Sequence, residues 1–132
     1  MIAFIDTSAL LAILDADDRH HAKAGECWRK ALTNGVELVT SNYVLVETYA
    51  VAQRRLGLAA VGAIARAISP ALHVYWLDPE VHSAAVESLL AASRRKLSFV
   101  DCTSFALMHR HGIEHVLAFD PHFQEMGFRP FA

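Results

Sequence analysis

Cysteine is scarce in this chain of 132 residues, which has only Cys27 and Cys102. Two isolated thiols cannot build a disulfide framework, and no Cys/His spacing of a zinc site accompanies them. Reduced thiols fit the cytoplasm. Long apolar runs are missing too. The hydrophobic fraction is 54%, yet no stretch approaches the roughly 18 to 20 consecutive apolar residues of a membrane span. The start, Met1-Ile2-Ala3-Phe4-Ile5-Asp6, has neither the basic leader nor the cleavage region of a secretory signal. A cytoplasmic protein is the expectation. Charge of one sign is also lacking, since the formal net charge is −2. A uniformly basic nucleic-acid surface is therefore excluded. Basic residues do cluster at Arg54-Arg55 and at Arg94-Arg95-Lys96, and local clusters can bind phosphates whatever the net charge. Repeats, low-complexity tracts and linkers are absent, so residues 1–132 read as one domain.

What is present is a regular alternation of short apolar runs and helical patterns. Residues 2–5 read as a buried strand, followed by a helix from Thr7 through Leu14. The acidic turn Asp15, Asp17, Asp18 precedes a helix over about 18–33. Residues 37–40 read as a second strand and 42–56 as a long helix closed by Arg54, Arg55 and Gly57. A nearly uncharged helix is expected over 58–68, a strand over 73–77, and a helix over 79–93 capped by Asp78-Pro79. Residues 101–111 read as a helix, 115–119 as a strand, Asp120-Pro121 as the start of a short helix, and 128–131 as a short edge strand. This order predicts an α/β sandwich with a largely parallel central sheet. Ligands of such sheets bind beyond the carboxyl ends of the strands.

Four acids fall where that architecture places a site. Asp6 ends the first apolar run and Asp120 the run 116–119. Asp101 follows Phe99-Val100, and Glu47 lies mid-helix between Val44 and Val51. An Asp at a strand–helix junction is often only an N-cap, which is how Asp78 and the 15–18 turn are read. Glu47 has no such explanation. Gathered carboxylates repel one another unless a cation neutralises them, and oxygen ligands favour Mg²⁺ or Mn²⁺. Metal-assisted phosphodiester hydrolysis is the chemistry this combination suits. The eight histidines show no HExxH or other ligand spacing, and surface or packing roles are expected for them.

Residues 6–12 (Asp-Thr-Ser-Ala-Leu-Leu-Ala), 42–48 (Asn-Tyr-Val-Leu-Val-Glu-Thr), 97–106 (Leu-Ser-Phe-Val-Asp-Cys-Thr-Ser-Phe-Ala) and 116–123 (Val-Leu-Ala-Phe-Asp-Pro-His-Phe) occur in the order seen in PIN-domain proteins. The chain most closely resembles the VapC-type toxins of toxin–antitoxin pairs. That resemblance implies a three-layer α/β/α PIN-like sandwich and a Mg²⁺- or Mn²⁺-dependent endoribonuclease. Its catalytic acids would be Asp6, Glu47, Asp101 and Asp120, with Asp6 and Asp101 as direct metal ligands. Ser8 and Ser104 match polar positions that support the pocket. A VapB-type antitoxin partner and a homodimer are also implied. Substrate RNA is expected near Arg94, Arg95 and Lys96, on the approach to Asp101.

Other readings fit less well. A haloacid-dehalogenase-type phosphotransferase needs a second acid in Asp6-Thr7-Ser8, and a receiver domain needs a Lys after its last strand. Histidine acid–base cleavage leaves the four acids unexplained. The remaining alternative is a non-catalytic PIN-like module that binds RNA or protein.

Overall fold

A short apolar run bounded by an acid is the pattern of a strand buried on both faces. Ile2-Ala3-Phe4-Ile5 behaves so in the computed structural model, which describes residues 1–92 and 97–131. The chain runs β1 (Ile2–Ile5), α1 (Thr7–Leu14), α2 (His21–Thr33), β2 (Glu37–Ser41), α3 (Asn42–Arg55), α4 (Leu58–Ala63), β3 (His73–Tyr75), α5 (Pro79–Ala92), α6 (Phe99–Arg110), β4 (His115–Leu117), α7 (His122–Glu125) and β5 (Arg129–Pro130). The strands form one sheet in the order β3-β2-β1-β4-β5, and every neighbouring pair is parallel. Helices on its faces complete a three-layer α/β/α sandwich. Central β1 is buried from Ala3 to Ile5, only Ile2 at its start being exposed, and its Phe4 and Ile5 join Leu10, Val39, Val44 and Met108 in the core.

Strand ends follow the pairing. Tyr75 is the partner of Ser41 and Leu117 that of Ile5, so β3 and β4 stop where their neighbours stop, two residues short of the sequence expectation. α2 starts at His21 rather than near residue 18, because the acids fold a turn instead. There Asp15 Oδ1 accepts from the Asp17 N–H at 3.0 Å and Asp18 Oδ1 from the His20 N–H at 2.8 Å. α6 starts two residues earlier than expected. Ser98 is its N-cap, and Asp101 sits at the third helical position as the other half of a capping box.

The apolar stretch 58–68, expected as one helix, changes helix type along its length. Gly57, at φ +94°, breaks it from α3. α4 then yields to a π-helical turn over Ile64–Ile68 and a 3₁₀ turn over Ser69–Ala71. Leu58 is 73% exposed, whereas Ile64 and Ile68 reach the core. Among the described residues, no helix is long and apolar enough to cross a membrane. Cys27 and Cys102 are both free and buried. Arg94, Arg95 and Lys96 lie outside the described residues.

Candidate active site

Asp6 stands one residue beyond central β1, and this placement sets its chemistry. Its own N–H still continues the sheet, donating to the Leu117 carbonyl at 3.1 Å. Its side chain caps α1: Oδ2 accepts from the Ser8 N–H at 3.5 Å and from the Ser8 hydroxyl at 3.2 Å. The other oxygen, Oδ1, is buried without a hydrogen-bond partner. Burial first, and then the charge of Asp101, raise the Asp6 pKa from 3.8 to about 7. The N–H groups of Thr7 and Ser8 oppose that rise, and Glu47 adds to it.

Ser8 ties two strand ends together. While its hydroxyl donates to Asp6, it accepts from the Phe119 N–H at 3.0 Å, joining the β1 and β4 exits. The neighbouring hydroxyls form a buried layer under the acids. Thr48 donates to the Val44 carbonyl at 2.7 Å, and Thr40 to the Ile5 carbonyl at 2.9 Å. Ser104 Oγ, also buried, has no partner.

Asp101 enters from α6. Its Oδ2 accepts from the Ser98 N–H at 3.3 Å, and its own N–H donates to Ser98 Oγ at 3.0 Å. Burial raises its pKa, and the Asp120 charge adds to this; the Ser98 N–H and His122 work against it. Asp120 arrives from the loop after β4, and its Oδ1 accepts from the His122 N–H at 2.9 Å. The His122 ring then closes the arrangement, with Nδ1 2.9 Å from Asp120 Oδ1 and 3.3 Å from Asp101 Oδ2. One N–H there bridges two carboxylates. Ligand atoms of Asp101, Asp120 and His122 all lie within 4.8 Å of one another.

His122 was not legible among eight histidines without ligand spacing. Its signal is positional, at the first residue of α7 and two beyond Asp120. The next residue, Phe123, fixes that short helix. It is buried against Phe105, with centroids 5.0 Å apart, and against Phe4 at 6.4 Å. Glu47 stands apart from the cluster. It is half-buried on α3 and reaches Asp6 through its charge. Asp78 is separate altogether, capping α5 through the Val81 N–H at 2.9 Å and pairing with Arg110 at 3.1 Å.

The donors suit a hard divalent cation. They are carboxylate-rich, and Asp6, outside that cluster but coupled to Asp101 by charge, adds an orphaned buried oxygen that a cation would satisfy. An all-parallel sheet with this acidic pocket beyond its central strands defines a class, and the PIN-domain model matches residues 3–129. The chain belongs to the PIN-domain family. It is 38% identical to the 23S rRNA-specific endonuclease VapC20 of Mycobacterium tuberculosis over 126 residues, which are 95% of this chain and 94% of that protein. The crystal structure of Mycobacterium tuberculosis VapC20, a sarcin–ricin-loop-cleaving toxin, superposes with a TM-score of 0.85 at 37% identity, covering 97% of this chain and 96% of that one. The structure of FitAcB from Neisseria gonorrhoeae shares the fold alone, at TM-score 0.71 and 14% identity over 100% of this chain and 97% of that one.

Proposed function

We propose that this PIN-domain protein is a Mg²⁺- or Mn²⁺-dependent endoribonuclease, the toxin of a VapBC-type pair, acting in the cytoplasm as one domain. The carrying observation is the buried, partnerless Asp6 Oδ1 beside the Asp101–Asp120–His122 cluster. Asp6 and Asp101 would hold the ion directly, with Asp120 and Glu47 acting through water. A bound divalent ion supplies an acidified water and stabilises charge on the attacked phosphate. The chain's own residues do the rest. Ser8 fixes the orientation of Asp6, Ser98 that of Asp101, and the His122 N–H holds Asp101 and Asp120 together. Ser104 supports the pocket floor.

Similarity to VapC20 across nearly the whole chain supports 23S ribosomal RNA, at its sarcin–ricin loop, as the substrate. A VapB-type antitoxin is proposed as the protein partner, together with a homodimer. The test is incubation with ribosomes and with isolated 23S RNA, mapping new 5′ ends. Cleavage should need Mg²⁺ or Mn²⁺, stop with EDTA, and leave 5′-phosphate and 3′-hydroxyl ends. A 2′,3′-cyclic phosphate would instead show attack by the RNA's own 2′-hydroxyl and sink this mechanism.

A further inference from the structure

A cavity of about 540 Å³ opens off the acidic cluster, sharing Ser8, Asp120 and His122 with it. Its size falls in the roughly 300–1,000 Å³ range of ligand sites. The far wall is of different chemistry. Arg19 and Arg55, from the α1–α2 turn and the last turn of α3, both line it, and both are exposed. Neither forms an ion pair among the described residues. His20 and Phe119 line the cavity as well, stacked at 4.4 Å with only 4° between their planes. Arg19 Nε donates to His20 Nε2 at 3.1 Å, which fixes the imidazole in that plane. Both rings line the cavity and neither is fully buried. Asp15 and Asp18 also line it, but each has a carboxylate oxygen engaged by a backbone N–H of the turn.

A flat ring pair, two exposed guanidinium groups outside any ion pair among the described residues, and an adjoining acidic pocket are the parts of a nucleotide subsite. We propose that this cavity binds one unpaired nucleotide of the RNA next to the scissile phosphate. Its base lies on the His20–Phe119 pair, and its flanking phosphates lie on Arg19 and Arg55. Arg55 thereby acquires a role beyond ending α3 with a cation. This assignment rests on the ribonuclease reading and deepens it, because stacking on such a platform requires a base that is out of its duplex.

The experiment measures binding of a fluorescently labelled single-stranded RNA decamer in EDTA, across a salt series, beside metal-dependent cleavage of 23S RNA. Arg19→Ala and Arg55→Ala should each flatten the slope of log affinity against log salt by about 0.7, the value for one phosphate of a single strand. His20→Ala should weaken binding about tenfold without changing the slope, and His20→Phe should restore it. His20 is chosen because its side chain makes no capping hydrogen bond to α2, so its loss leaves the helix start intact. Thermal melts check that each variant is folded. Unchanged affinity and slope in all three Ala variants, with wild-type cleavage intact, overturn the subsite and leave the ribonuclease reading standing. Failure of the wild type to cut any RNA overturns that reading as well. Variants that keep RNA affinity but lose the antitoxin would assign the cavity to the partner protein and refute the proposal.

Discussion

Asp6 and Asp78 occupy the same local position in sequence, and the molecule uses them in opposite ways. Each follows a strand and caps the next helix, Asp6 through the Ser8 N–H and Asp78 through the Val81 N–H. β1 is the centre of the sheet and β3 its edge. At the centre, burial and the neighbouring Asp101 raise the Asp6 pKa to about 7. At the edge, the Val81 N–H, followed by the Arg110 guanidinium, holds Asp78 below the ordinary carboxylate value. Identical local chemistry thus becomes a site in one place and a cap in the other. What separates them is burial at the sheet centre and the further acids that α6 and α3 bring beside it.

The sharpest way to break this comparison is to neutralise both. Asp6→Asn or Asp101→Asn should lower metal-dependent cleavage by at least about a hundredfold, since even partners of metal ligands are worth about 10- to 100-fold. Asp78→Asn should leave cleavage at the wild-type rate. Initial rates on 23S RNA at matched metal concentration decide the matter, and an active Asp101→Asn would remove it from the site.

Stability gives the second contrast. Folded Asp6 titrates near 7 against an ordinary 3.8, so the metal-free folded state holds a proton that the unfolded chain releases. Its contribution is intact below the unfolded value and is lost as pH rises toward 7. Full ionisation there opposes folding by up to about 4 kcal/mol. Denaturant midpoints in EDTA should therefore favour Asp6→Asn over wild type increasingly from pH 5 to pH 8, and added Mg²⁺ should close the gap. For Asp78 the sign reverses. Its lowered pKa favours folding above the usual carboxylate range, and that benefit disappears as the acid protonates.

His122 should matter next. His122→Ala removes the N–H that spans Asp101 and Asp120, and Mn²⁺ affinity measured by calorimetry should fall about 10- to 100-fold. Unaltered affinity would make the ring a packing residue. The smallest effect belongs to the cap of α6. Ser98→Ala should cost about 1 kcal/mol of stability, read as a shifted denaturant midpoint, and should release one constraint on Asp101.

The comparison also explains which parts could be read in advance. Apolar runs between helical patterns, with acids at their ends, fixed the alternating fold, because strand and helix periodicities are local properties. Asp6, Asp101 and Asp120 stood out since each follows an apolar run, and Glu47 because it interrupts one. His122 carried no such mark, because an imidazole acquires its role from neighbours supplied by α6 and the β4 exit. The 58–68 stretch was legible as helical, but not its change of helix type or which residues it buries, because only packing against the rest of the fold leaves Leu58 outside and Ile64 inside. Arg55 read in the sequence first as a helix-end cation, and only the fold puts it in one cavity with Arg19 and His20.

By itself, then, the sequence determined an α/β chain with four acids at structurally sensitive positions, because apolar periodicity and strand-end chemistry act over a few residues. Tertiary structure alone decided that β1 is central and β3 an edge, that Asp6 is buried while Asp78 is solvated, and that His122 lies between two carboxylates. Those properties depend on desolvation and on charges brought together from residues far apart in the sequence, such as Asp6 and Asp101, and neither exists until the sheet has formed.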